Sequence, residues 1–174
     1  MLSPDLYITR VLDIDLDRLA ERGIDTLLID LDNTLLPRDT NVVPDELKAW
    51  AADVKLRGMR ACLVSNNWHE RVHNVARELD IDLVAKAVKP LPFAFTRALK
   101  ICGATRKRAA IIGDQLFTDV LGGKLLGIYT VMVLPLAATD LPHTLMLRHV
   151  EKLFLGDRKP VLGTAEASRE EGVS

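Results

Sequence analysis

Thr26-Leu27-Leu28-Ile29-Asp30-Leu31-Asp32-Asn33-Thr34 is the stretch whose reading decides the fold. Four apolar residues without polar alternation suit a short strand buried on both faces, the kind found in parallel sheets covered by helices. The run then breaks abruptly into two carboxylates, an amide and a hydroxyl. Upstream, Asp15 to Arg22 carries a short helical pattern that stops at Gly23. Downstream, Pro44 opens a helical stretch to Arg57, with Pro at a tolerated first-turn position and Gly58 just past the end.

The alternation continues along the chain. Met59–Val64, Ile81–Ala85, Arg108–Ile112 and Ile128–Leu134 read as strands. Helices are expected over Trp68–Leu79, Pro92–Cys102, Leu116–Leu126 and Leu141–Leu155. Five strands alternating with helices imply βαβ units, so the expected fold is a three-layer α/β/α domain around a five-stranded, mainly parallel sheet. In such sheets ligands bind beyond the carboxyl ends of the strands. Polar residues gather there four times: Asp30-Leu31-Asp32-Asn33-Thr34, Ser65-Asn66-Asn67, Lys86 with Lys89-Pro90, and Gly113-Asp114 with Asp119. Loops are polar everywhere, so one such cluster would say little. Four clusters on one sheet edge describe an active site.

Composition narrows the class. Of 174 residues 48% are apolar, enough for a core of Leu, Val, Ile and Ala, since aromatics are only 5%. A formal net charge of −1 leaves no electrostatic footprint for nucleic acid, and none is expected as a partner. Cys62 and Cys102 stand apart from any Cys/His cluster and read as buried thiols in a reducing compartment. The first residues lack the basic and apolar regions of a signal peptide. The longest apolar tract, Leu125 to Ala138, contains Pro135 and is shorter than the roughly 18–20 residues a bilayer span needs. A cytoplasmic protein is expected.

In an extended segment residues i and i+2 project to one side, so Asp30 and Asp32 are expected to face one locus. Two carboxylates that close repel unless a cation or a shared proton intervenes. A hard divalent metal with oxygen ligands, Mg²⁺ above all, answers that need. Asp114 adds a further carboxylate. Asp119 either joins it or caps a helix. A metal beside a carboxylate nucleophile would neutralise a transferring phosphoryl group. Lys89, with Lys86 as its rival, offers a positive charge to the phosphate oxygens. Ser65 offers a hydroxyl, unless it merely caps the next helix.

The ordered pattern Asp-x-Asp-x-Thr, Ser-Asn, Lys-Pro, Gly-Asp-x-x-x-x-Asp from Asp30 to Asp119 resembles the haloacid dehalogenase (HAD) superfamily. Asp30-Leu31-Asp32-Asn33-Thr34-Leu35, Ser65-Asn66-Asn67 and Gly113-Asp114-Gln115 are similar to its YqeG-like subclass IIIA phosphatases, as is the opening Pro4-Asp5-Leu6-Tyr7 through Asp13-Ile14-Asp15. The resemblance implies a phosphatase domain over residues 1–159, followed by a tail, 160–174, too poor in large apolar residues to order itself. It also implies roles. Asp30 is the nucleophile and Asp32 the proton donor, with Ser65 and Lys89 completing the catalytic set and Thr34 and Asn66 positioning the phosphate. Mg²⁺ is held by Asp30, the backbone carbonyl of Asp32 and Asp114, with Asp119 behind them.

Mobile caps in that superfamily are inserted between Asp32 and Ser65 or between Ser65 and Lys89. Each interval has room only for a helix, a strand and their connections. The site should be open unless a neighbouring subunit covers it, which suits a large substrate. The relation of this branch to phosphatidylglycerophosphate phosphatases points to a lipid headgroup. The alternative is a soluble nucleotide, sugar phosphate or phosphoprotein. Leu141, Leu145, Met146, Val150, Leu153 and Phe154 recur at helical spacing beside Arg148 and Lys152. They suit either packing on the sheet or peripheral contact with the inner face of a membrane. A receiver-like signalling domain would place its acceptor Asp after the third strand, where this chain has Lys89. A catalytically idle scaffold would keep the same residues.

Overall fold

In the computed structural model, residues 2–136 are described. The expected last helix and the expected tail therefore lie outside the described residues. The elements are β1 (Leu6–Ile8), α1 (Leu16–Glu21), β2 (Thr26–Ile29), α2 (Asp45–Leu56), β3 (Arg60–Val64), α3 (Glu70–Glu78), β4 (Asp82–Val84), α4 (Pro92–Ile101), β5 (Ala109–Gly113), α5 (Leu121–Leu126) and β6 (Tyr129–Val133). One π-helical turn, Leu116–Val120, precedes α5 where the sequence suggests a single continuous helix.

Among the described residues the sheet has six strands, one more than expected, in the order β1-β6-β5-β2-β3-β4, and every pairing is parallel. The added strand, β1, lies at the edge against β6, with Leu6 opposite Val131. It is only three residues long and half-exposed over two of them, so neither periodicity nor an apolar run announces it.

β2 is buried at all four positions because helices cover both faces of the sheet. Leu27 and Ile29 face a core that includes Leu47, Trp50 and Val54 of α2 and Val72 and Val75 of α3. Leu28 faces the opposite core, with Phe95, Ala98 and Leu99 of α4. Burying a Leu or Ile side chain contributes about 1.5–3 kcal/mol, so these two cores are what hold β2 in the centre. Cys62 and Cys102 are free and buried in the second core.

The topology also places the site. The chain winds one way from β2 through β3 to β4, then returns beside β2 as β5 and winds the other way to β6, which pairs with the first strand, β1, at the edge. The winding reverses between β2 and β5, and parallel sheets open a crevice at such a switch point. Asp30 directly follows β2 and Asp114 directly follows β5. Between Asp32 and Ser65 lie only a loop, α2 and β3, and between Ser65 and Lys89 only α3 and β4, so no cap is inserted in either interval.

Candidate active site

Register brings the acids together. Ile29 of β2 pairs with Ile112 of β5, and the Asp30 N–H donates to the Ile112 carbonyl at 2.9 Å. Asp30 thus stands level with Gly113, and Asp114 comes one residue later. Beyond β5 the π-helical turn swings Asp119 back over Gly113, whose missing side chain leaves the room. A Cβ built on Gly113 would lie 2.2 Å from the Asp119 Cγ. One extra residue per turn is a common device for aiming a side chain at a functional site.

Carboxylate oxygens of Asp30, Asp114 and Asp119, all buried, lie within 4.8 Å of one another. Among the described residues one cation enters this cluster: the Lys89 ammonium, itself buried, donates to Asp30 Oδ1 at 2.6 Å and to Asp119 Oδ1 at 2.7 Å. Three carboxylates against one ammonium leave the site short of positive charge. Burial pushes the Asp30 carboxyl up to about 6, against the pull of Lys89. Burial, together with Asp30 and Asp119, pushes Asp114 up to about 8. Burial opposes the charge on Lys89, but the two carboxylates it touches prevail and raise its pKa. A compact set of hard oxygen donors with surplus negative charge fits a divalent cation such as Mg²⁺.

The other expected residues stand around this centre. Thr34 Oγ1 donates to Asp114 Oδ1 at 3.4 Å, both buried. Asn66 Oδ1 accepts the Lys89 backbone N–H at 2.6 Å and so fixes the loop that carries the ammonium. The buried Ser65 hydroxyl accepts the Asn67 N–H at 3.1 Å. It does not cap α3, whose N-cap is His69. Asp119 is not the N-cap of a helix: Oδ2 accepts from Gln115 N and Thr118 Oγ1, while Oδ1 meets Lys89. Between the two lysines burial decides. Lys86 is exposed, with its Nζ 5.6 Å from the Trp68 ring centroid.

Asp32 requires a correction. Its carboxylate is not among the clustered oxygens but pairs with Arg71 Nη1 at 2.5 Å. The strand ends at Ile29, and the Leu31 carbonyl then accepts N–H groups from Thr34, Leu35 and Leu36, closing a turn in which period-two alternation no longer applies. Asn33 carries that turn at φ +63°, a left-handed conformation that Asn tolerates. Asp30 and Asp32 therefore diverge, one to the acid cluster and one to a guanidinium. Arg71 itself went unnoticed in the sequence. It sits in a polar helical stretch, 39 residues from its partner, and no motif marks it.

Comparison with known proteins agrees with this geometry. A family model described as HAD-hydrolase-like matches residues 86–135. The chain is 36% identical to the "Probable phosphatase YqeG" of Bacillus subtilis (strain 168) over 156 residues, 90% of this chain and 91% of that one. Among solved structures, a provisionally assigned HAD family hydrolase from Streptomyces avermitilis MA-4680 shares the fold at 20% identity and a TM-score of 0.53, covering 68% of this chain and 75% of that one. An uncharacterized protein from Listeria monocytogenes serotype 4b does so at 18% identity and a TM-score of 0.53, covering 68% and 85%. With 36% identity over nine-tenths of both chains, and acids gathered at the β2–β5 switch point, the chain belongs to the YqeG-like phosphatases of the HAD superfamily.

Proposed function

We propose that this chain hydrolyses phosphate monoesters through a phosphorylated Asp30. The observation that carries the reading is the buried cluster of Asp30, Asp114 and Asp119 around a single ammonium at the sheet's switch point. Asp30, Asp114 and the backbone carbonyl of Asp32 would hold Mg²⁺, with Asp119 supporting them. The ion would supply charge neutralisation at the transferring phosphoryl group.

The side chains divide the remaining work. Asp30 attacks phosphorus as the bond to the ester oxygen breaks, and Asp32 gives that oxygen its proton. In the second half, Asp32 takes a proton from the attacking water. Inorganic phosphate leaves and the Asp30 carboxylate is restored. The Lys89 ammonium and the Ser65 hydroxyl donate to the non-bridging oxygens, Asn66 holds the Lys89 loop and Thr34 steadies Asp114. Asp30 must be ionised to attack, so activity should fall as pH drops below the range to which burial has raised its carboxyl.

For the substrate we favour a lipid headgroup, phosphatidylglycerophosphate, met at the inner face of a membrane by a cytoplasmic protein. Three things support this. No cap is inserted between Asp32 and Ser65 or between Ser65 and Lys89. The YqeG-like branch resembles phosphatidylglycerophosphate phosphatases. Trp68, Val88, Leu91 and Phe93, on the loops beyond β3 and β4 and the start of α4, are about half-exposed on the same side of the sheet as the acids. No helix among the described residues is long and apolar enough to cross a membrane, so the contact would be peripheral. A soluble phosphomonoester is the second reading, since an open site also admits small substrates.

Phosphate release from phosphatidylglycerophosphate in mixed micelles, set against a soluble panel with Mg²⁺ present, tests both levels. Asp30→Asn should lower every activity by roughly four orders of magnitude or more. Retained activity would remove the nucleophile, and preference for a soluble ester would replace the lipid.

A further inference from the structure

The guanidinium of Arg71 is a planar fork with each arm occupied. Nη1 donates to Asp32 Oδ1 at 2.5 Å, Nη2 to the Pro37 carbonyl at 2.7 Å and Nε to the Thr40 carbonyl at 2.7 Å. The Arg71 side chain is only 12% exposed and that of Asp32 19%. Arg71 belongs to the first turn of α3, whereas all three acceptors lie on the segment between β2 and α2. One side chain therefore ties the arm carrying Asp32 to a helix on the far side of β3.

This geometry treats the two oxygens of Asp32 differently. Oδ1 is held by the guanidinium, and among the described residues no hydrogen bond engages Oδ2. A carboxyl group protonated on Oδ2 can still accept a hydrogen bond at Oδ1, so the fork need not release it when the proton arrives. The two backbone carbonyls hold the guanidinium plane whatever the charge on Asp32. A lysine ammonium is a point charge on a flexible stem and cannot meet three acceptors in this fixed planar arrangement. We propose that Arg71 is a positioning residue that fixes Asp32 with Oδ2 as its proton-delivering oxygen, and so sets how well the enzyme cleaves esters with poor leaving groups. The role rests on the phosphatase reading above. The proton passes from Asp32 Oδ2 to the ester oxygen, which departs with the electron pair of the breaking P–O bond as the Asp30–phosphorus bond forms.

Leaving groups separate this role from simple clamping of the loop. A nitrophenolate departs without needing a proton, whereas an alkoxide does not. With Arg71→Lys and Arg71→Gln, kcat/KM for an alkyl phosphate, which reports the half-reaction in which the leaving group departs, should fall on the order of 100-fold. For p-nitrophenyl phosphate kcat/KM should fall less than about threefold. Lys should recover no more than a small part of the loss. Equal losses on both substrates would overturn the proposal, because disorder of the loop does not discriminate between leaving groups. Side-chain ¹⁵N NMR of Arg71 supplies a readout independent of turnover. Its Nε and Nη signals should be resolved and slow to exchange, and Asp32→Asn should shift the Nη signals. Unshifted signals would overturn the pairing. Shifted signals in a wild-type protein that hydrolyses neither ester would overturn the phosphatase reading, and this role with it, while the pair itself stands.

Discussion

The two ends of the sheet use the same charged residues to opposite effect. At the amino end, Asp25 before β2 pairs with Arg108 before β5, and Asp5 before β1 pairs with Lys124 of α5. Each acid has its own cation, and water reaches both. Although burial opposes it, the hydrogen bonds from Lys124 and Thr130 hold the Asp5 carboxyl below the usual carboxylate range. At the carboxyl end, three buried acids share one ammonium, and two of them are driven upward. Hollow space does not mark the difference. A hollow of about 530 Å³ lies at the amino end, lined by Asp5, Arg22, Arg106, Lys107, Lys124 and Tyr129 among others. What distinguishes the carboxyl end is charge kept out of balance and out of water, a cost in stability characteristic of functional sites.

The contrast breaks most severely if the carboxyl end is denied its close approach. Gly113→Ala would put a Cβ 2.2 Å from the Asp119 Cγ, and Asp119 is held on both oxygens by Lys89, Gln115 and Thr118. Either Asp119 leaves the cluster or β5 shifts. A loss of about 1–3 kcal/mol is expected from urea unfolding, with kcat/KM reduced on the order of 100-fold. Gly23→Ala at the amino end is the control. Its φ is +77° but no atom lies within 4 Å of the added carbon, so only the backbone strain of about 1–2 kcal/mol should appear, with activity intact. Equal activity losses in the two variants would mean that the Gly113–Asp119 contact has no special role.

Titration should sharpen the same contrast. An acid whose pKa is raised on folding holds its proton more tightly in the native state, so its contribution to stability is complete below the unfolded value and is lost as pH rises through the folded one. For Asp114 that window runs from 3.8 to about 8, and for Asp30 from 3.8 to about 6. The metal-free protein should therefore lose stability steadily between about pH 4 and 8. Saturating Mg²⁺ should flatten the slope at the upper end, and Asp114→Asn should do so without metal. Asp5 has the opposite sign. Its lowered pKa contributes stability above the unfolded value of 3.8 and loses it as pH falls further. Denaturant midpoints across pH, with EDTA and with Mg²⁺, measure both. A metal-free protein more stable at pH 8 than at pH 5 would contradict the charge imbalance at the carboxyl end.

Legibility in the sequence also divides between regions. β2 was readable residue for residue, because Thr26–Ile29 is buried throughout and nothing in it alternates. The clustered acids were readable because each follows a strand, and a parallel sheet brings strand ends to one edge whatever their separation in the chain. β1 was not: its three residues draw their order from the neighbour β6 rather than from any pattern of their own. The direction of Asp32 was misjudged because the extended rule was carried one turn too far. Arg71 was invisible because a helix of charged residues looks like a solvated face until the loop that wraps it is placed. Lys89 and Lys86 differ in burial rather than in type, and three residues of loop decide which of them turns inward. Contacts made through strand order were legible, and those made through loops were not.

The smallest effect belongs to the balanced end. Asp25→Asn removes the partner of Arg108. Both side chains are substantially exposed, so water replaces the lost contact and neither is left as an uncompensated buried charge. Exposed pairs of this kind contribute about 0–1 kcal/mol, and salt screens them further. Asp25 also accepts from the Thr26 hydroxyl, and an Asn oxygen can keep that bond. The expected change is therefore a drop of less than about 1 kcal/mol at low salt that shrinks on adding salt, with kcat/KM unaltered. Urea titrations at two ionic strengths measure it. A larger, salt-independent loss would mean that the Asp25 side chain, through Arg108 and the Thr26 hydroxyl, contributes more than a water-exposed ion pair. In that case the two ends of the sheet would differ less in kind than their burial suggests.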